Sequence, residues 1–120
     1  MKLLLGALAG SALTAWLLTA QGPAQHLKLD NARIRVTEWV YRPGEPRAPY
    51  IRPTDQLIVF LDDARYERKV TQTGAIEIRE RKAGDVLWHD QGEEAPQLTA
   101  QGRPYRTLVI EFKESRPPRP

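Results

Sequence analysis

The chain has 120 residues, 41% of them hydrophobic, and 18 Lys+Arg against 15 Asp+Glu give a formal charge of +3. That suffices for one domain with its own core and is too apolar for an unfolded chain. Cysteine is absent, which excludes disulfides, thiolate zinc sites, cysteine nucleophiles and a lipid anchor on a cysteine after the leader.

Met1 and Lys2 make a short positive start, and Leu3 to Ala20 is apolar and uncharged, diluted by Gly6, Gly10, Ser11 and Thr14. Small residues at Ala20, Gly22 and Ala24 follow. This is the layout of a secretory signal peptide over 1–24, which predicts a periplasmic or secreted protein. The competing reading is an uncleaved hydrophobic helix anchoring the chain, at the lower edge of spanning length. The membrane enters only through that alternative.

Gln21 to His26 reads as a polar linker around Pro23. From Asn31 onward the signals are those of strands. Ile34, Val36 and Val40 alternate with Arg33, Arg35, Thr37 and Trp39, a period of two. Arg42-Pro43-Gly44-Glu45 carries the chemistry of a type II turn. Pro43, Pro46, Pro49 and Pro53 exclude a helix and predict an extended loop. Gln56 to Leu61 is a continuous apolar run, the pattern of a strand buried on both faces. A strand over Arg65 to Val70, another over Ala75 to Lys82 with Ile76 and Ile78 opposite Glu77, Arg79 and Arg81, and a third over Val86 to His89 follow, separated by turns. Gln97 to Ala100 and Tyr105 to Lys113 complete the set, and the proline-rich tail 114–120 is expected to be disordered. The reading is all-β: about seven to nine short antiparallel strands closing into a jelly-roll or barrel over 25–113.

Two segments carry a family resemblance. Asn31 to Glu45 resembles the first strand and turn of small single-domain cupins, and Ala83-Gly-Asp-Val-Leu-Trp88 resembles the start of their second motif. The likeness spans roughly residues 30–113. In that family two histidines and a glutamate of the first motif and a histidine of the second hold a divalent metal inside the barrel. Aligned on Pro53 and Asp55, the corresponding positions here are Tyr50, Arg52, Gln56 and Ala95. All four depart from the family's pattern, so no metal, cofactor or catalytic residue is carried over. The chemistry agrees: arginine has no lone pair to offer and stays protonated, tyrosine titrates near 10, and glutamine offers one neutral oxygen.

Tyr50 and Arg52, two apart on an extended segment, face one way. With Gln56, Trp88 and His89 they form the candidate ligand pocket, suited to a small anion. The plainer reading pairs Arg52 with Asp55 or another acid and uses Tyr50 to fill the barrel mouth. His89 with Asp90, Glu93 and Glu94 is the place for a displaced metal site, although adjacent strand residues point apart and no second core histidine is present. Trp39, Trp88 and Tyr105 read as core or pocket wall. The basic residues are dispersed and no nucleic-acid motif occurs, so nucleic acid is not an expected partner. The functional expectation is an exported, metal-free, cupin-like module that binds a small ligand without catalysis. The alternatives are a metal-dependent cupin enzyme, an isomerase or oxygenase, rearranged around His89, and a structural or interaction module, for which the resemblance implies a homodimer paired through strand edges.

Overall fold

A computed structural model describes residues 22–114. Residues 1–21 of the proposed leader (1–24), with its hydrophobic helix, and residues 115–120 of the proposed tail (114–120) lie outside the described residues. Between them run ten strands and no helix: β1 (Ala24–Asp30), β2 (Ile34–Tyr41), β3 (Tyr50–Ile51), β4 (Asp55–Phe60), β5 (Ala64–Lys69), β6 (Ile76–Arg81), β7 (Val86–His89), β8 (Glu94–Ala95), β9 (Gln97–Ala100) and β10 (Tyr105–Phe112). All pairings are antiparallel, in a five-stranded sheet β1-β2-β10-β4-β7, a three-stranded sheet β6-β5-β9 and a short β3-β8 pair. The all-β expectation holds.

The local signals act as their chemistry requires. Gly44 takes φ +81° and Glu45 N–H donates to the Arg42 carbonyl at 3.1 Å, closing the type II turn. Gly84, at φ +93°, turns β6 into β7 and donates its N–H to Phe60 O at 2.7 Å.

Three expectations need correction. The linker read over 21–26 is strand from Ala24 onward: β1 pairs with β2 from Ala24↔Val40 to Asp30↔Arg35, with an irregularity between Leu27 and Leu29. Only Leu27 and Leu29 alternate with polar residues there, both are exposed, and the strand lies at the sheet edge, so its apolar pattern is short and faces solvent. The strand count is ten rather than seven to nine, because the proline-rich loop hides the two-residue β3 and Glu94–Ala95 completes its pair. The Gln56–Leu61 run is not buried on both faces: only Gln56 and Phe60 are fully buried, and Leu57 and Val59 lie half-covered between them.

The interior is divided. Tyr41, Phe60, Ala64, Tyr66, Ala100 and Tyr105 form a buried cluster, with the Tyr41 and Tyr105 rings stacked at 4.8 Å. This aromatic plug fills one part of the space between the sheets. Beside it the barrel encloses a cavity of about 310 Å³.

Candidate functional site

The cavity takes its walls from strand alternation. Trp39 and Tyr41 of β2, Ile58 and Phe60 of β4, Leu87 and His89 of β7 and Thr107 and Val109 of β10 are two apart on their strands and face it from the large sheet. Arg68, Arg79 and Arg81 face it from β5 and β6, and Arg47, Tyr50 and Arg52 from the proline-rich segment. Five arginines thus meet two glutamates, Glu93 and Glu94, around one small space.

Tyr50, Arg52 and Gln56, singled out in the sequence, converge. Arg52 Nη1 donates to Gln56 Oε1 at 2.6 Å and to Tyr50 Oη at 3.3 Å, and Tyr50 Oη donates to the same Gln56 oxygen at 3.3 Å. Gln56 is 1% exposed and pairs across the ladder with His89, while Tyr50 pairs with Ala95. The four positions that correspond to the cupin ligand set are therefore gathered in space, with a guanidinium among them. A divalent cation does not fit this donor set. A unit-charge pair about 4 Å apart at an effective dielectric of about 20 repels by about 4 kcal/mol, and a dication by about twice that.

Arg47 joins the group although sequence reasoning passed it over. It forms an isolated bridge to Leu98, its Nη1 donates to Tyr41 Oη at 3.2 Å and its Nη2 to the Pro96 carbonyl at 2.5 Å. The Arg47 and Arg52 guanidinium carbons lie 5.3 and 5.6 Å from the centre of the Tyr50 ring, so one phenol flanks both cations. Both arginines are buried. Among the described residues none of the ion pairs includes Arg47, Arg52 or Arg81, so the expected pairing of Arg52 with an acid is replaced by a neutral amide and a phenol. Burial, together with the charge of Arg47, pushes the Arg52 pKa down, with Tyr50 and Glu93 opposing.

His89 sits beside this group. Its Nδ1 donates to Glu93 Oε2 at 3.0 Å, and the same oxygen accepts the Asp90 N–H at 3.1 Å. Burial lowers the His89 pKa below its ordinary value, the Arg52 charge adds to that, and the Glu93 contact opposes it. Among the described residues no three or more His, Cys, Asp or Glu side chains gather as a metal site. Trp88 belongs to the rim: it is 52% exposed, its ring packs at 5.5 Å on Phe112, and its Nε1 donates to Asp90 Oδ1 at 3.0 Å.

Six of the seven buried side-chain polar atoms that lack a protein partner among the described residues belong to cavity residues. They are Trp39 Nε1, Arg47 Nε, Arg52 Nε, Arg81 Nε, Tyr105 Oη and Thr107 Oγ1. The first four can only donate and the two hydroxyls can do so as well. Burial pushes the Tyr105 phenol far up, so it keeps its proton.

The arginines of β6 were missed for a physical reason. Its alternation was legible, but the apolar side chains do not face inward: Ile76 and Ile78 are exposed, while Arg79 and Arg81 reach the cavity. Glu77 Oε2 accepts from both Arg68, at 2.8 Å, and Arg79, at 2.9 Å, which ties these cations together on the inner side of β5 and β6.

No protein-family model matches the sequence, and no curated protein matches it. Solved structures do. A cupin domain from Bordetella pertussis superposes with a TM-score of 0.68 at 19% identity, covering 78% of this chain and 96% of that one. The polyketide cyclase RemF from Streptomyces resistomycificus follows with a TM-score of 0.63 at 21% identity, over 82% and 70%. A double-stranded β-helix protein from Klebsiella pneumoniae gives 0.58 at 20% identity, over 79% and 81%. At these identities the likeness is one of fold, and the fold is that of a small cupin-type domain.

Proposed function

We propose that this cupin-type barrel binds a small organic anion, seating its acidic group on Arg47 and Arg52, and that it acts as a binding protein rather than a catalyst. The observation that carries the reading is the set of buried donors, without partners among the described residues, on side chains that line one cavity. A buried polar group without a partner costs about 1–3 kcal/mol, and more when charged. An anion offers acceptors and charge together, which a neutral molecule or a metal ion does not. The aromatic and aliphatic wall of Trp39, Ile58, Leu87 and Val109 suits an organic body behind the acidic group. The sequence pattern of residues 1–24 supports export as part of the same proposal, and N-terminal sequencing of the protein recovered from cells tests that part.

The binding reading is tested by titration calorimetry with three molecules of the same carbon number: hexanoate, hexanol and hexylamine. Hexanoate is expected to bind and the other two not. Arg52→Gln is expected to weaken hexanoate by about 10- to 100-fold, the worth of a charged hydrogen bond of about 1.5–3 kcal/mol. Equal binding of hexanol and hexanoate, or no effect of Arg52→Gln, contradicts the reading.

A further inference from the structure

The cavity has two separate cationic groups, and one acidic group cannot serve both. Arg47 and Arg52 lie against Tyr50. Arg79 and Arg81 lie on β6, with Arg68 drawn toward them by Glu77. The ladder fixes their separation. Arg68 pairs with Leu98 of β9, and Leu98 bridges to Arg47, so Arg68 and Arg47 stand in one row with Leu98 between them. Two strand spacings put their backbones about 10 Å apart, and β6 is one spacing further out. Within β6, Arg79 and Arg81 are two residues apart on the same face, about 7 Å along the strand.

Positive charge is in excess around the cavity as a whole. The first has two arginines outside any ion pair among the described residues. The second has three arginines around the one carboxylate of Glu77, and Arg81 Nε is buried without a partner among the described residues. Glu93 and Glu94 also line the cavity, and Glu93, held by His89 and the Asp90 amide, offsets part of the Arg52 charge, so the five arginines against Glu77, Glu93 and Glu94 leave an excess of two positive charges. Between the groups the wall is apolar: Leu98 in the row itself, with Ile58, Leu87 and Val109 on the facing sheet. A cavity of about 310 Å³ holds about ten water-sized groups, at about 30 Å³ each.

We infer that the ligand is a two-ended acid: a small dicarboxylate-class dianion of about ten non-hydrogen atoms, with one acidic group on Arg47 and Arg52, the other on Arg79 and Arg81, and an apolar chain between. This rests on the single-anion reading above and goes beyond it by naming the ligand class and the second recognition group. Nothing in a monoacid reaches the Arg81 side of the cavity with charge.

The test is calorimetry of the full chain with α,ω-diacids of four to eight carbons, succinate to suberate, each against the monoacid of the same carbon number, butanoate to octanoate. The best diacid is expected to bind about tenfold or more tightly than its monoacid, since a second charge-assisted contact is worth about 1.5 kcal/mol or more. Arg81→Gln is expected to bring that diacid down to the affinity of its monoacid. If Arg81→Gln does not fold, Arg79→Gln, which leaves the Arg68–Glu77 pair in place, serves as the second variant. Diacids that bind no better than their monoacids overturn the two-ended reading while leaving the single-anion reading standing. Diacids and monoacids that both fail to bind overturn the two together.

Discussion

Replacing Gln56 by glutamate changes almost nothing but charge. The side chains are isosteric, and Gln56 Oε1 already accepts from Arg52 Nη1 at 2.6 Å and from Tyr50 Oη at 3.3 Å. Gln56→Glu therefore places a built-in carboxylate on the guanidinium proposed to hold the ligand. A ligand carboxylate on the far side of that guanidinium stands about 7 Å from the new charge. At an effective dielectric of about 20 their repulsion is about 2.4 kcal/mol, or about 50-fold in Kd. Arg52 meanwhile gains an ionised partner in place of a neutral one, so the unfolding midpoint is not expected to fall. Hexanoate titrated into wild type and Gln56→Glu by calorimetry, with thermal unfolding as the fold control, measures both. A folded variant with unchanged hexanoate affinity refutes the placement of the anion at Arg52.

Two further predictions follow from buried tyrosines and the half-buried His89. Tyr105→Phe removes a buried hydroxyl with no partner among the described residues, whereas Tyr41→Phe removes one that accepts from Arg47 at 3.2 Å; denaturant unfolding is expected to show Tyr105→Phe neutral or stabilising and Tyr41→Phe destabilised by about 1–3 kcal/mol. The His89 pKa is lowered in the fold, so the unfolded chain binds the extra proton first: stability is fully present above about pH 6.5, the ordinary histidine value, and declines as pH falls from there through the folded value. Unfolding midpoints measured from pH 8 to 5 are expected to show that decline in wild type and a shallower one in His89→Gln.

What was legible in the sequence followed from local chemistry. Pro43-Gly44 gave its turn, the β-branched alternation of β2 gave its strand, and the register of Pro53 and Asp55 brought Tyr50, Arg52 and Gln56 to positions that meet in space. The rest depended on information that no short window holds. β1 buries no apolar face, its Leu27 and Leu29 being exposed, and it forms on the edge that β2 offers. β6 alternates cleanly, yet hydrophobicity alone points it the wrong way, since Arg79 and Arg81 are the inward residues and Ile76 and Ile78 the exposed ones. Arg47 looks like one more charge in a proline-rich loop until the bridge to Leu98 brings it against Tyr50. The signal that existed was the repeat of arginine at Arg79 and Arg81, two charges on one face of a strand in a small barrel, which asks for a polar interior.

Anion binding in this barrel depends on the buried guanidinium N–H groups that have no acceptor among the described residues. Nitrogen-15 NMR of arginine-labelled protein, observing the Nε–H resonances of Arg47, Arg52 and Arg81 during titration with adipate, addresses them directly. Saturable shifts at all three, with the surface arginine Arg106 on Asp62 unmoved, are the predicted result. Resonances of the three that stay in place while adipate is raised to high concentration would contradict it.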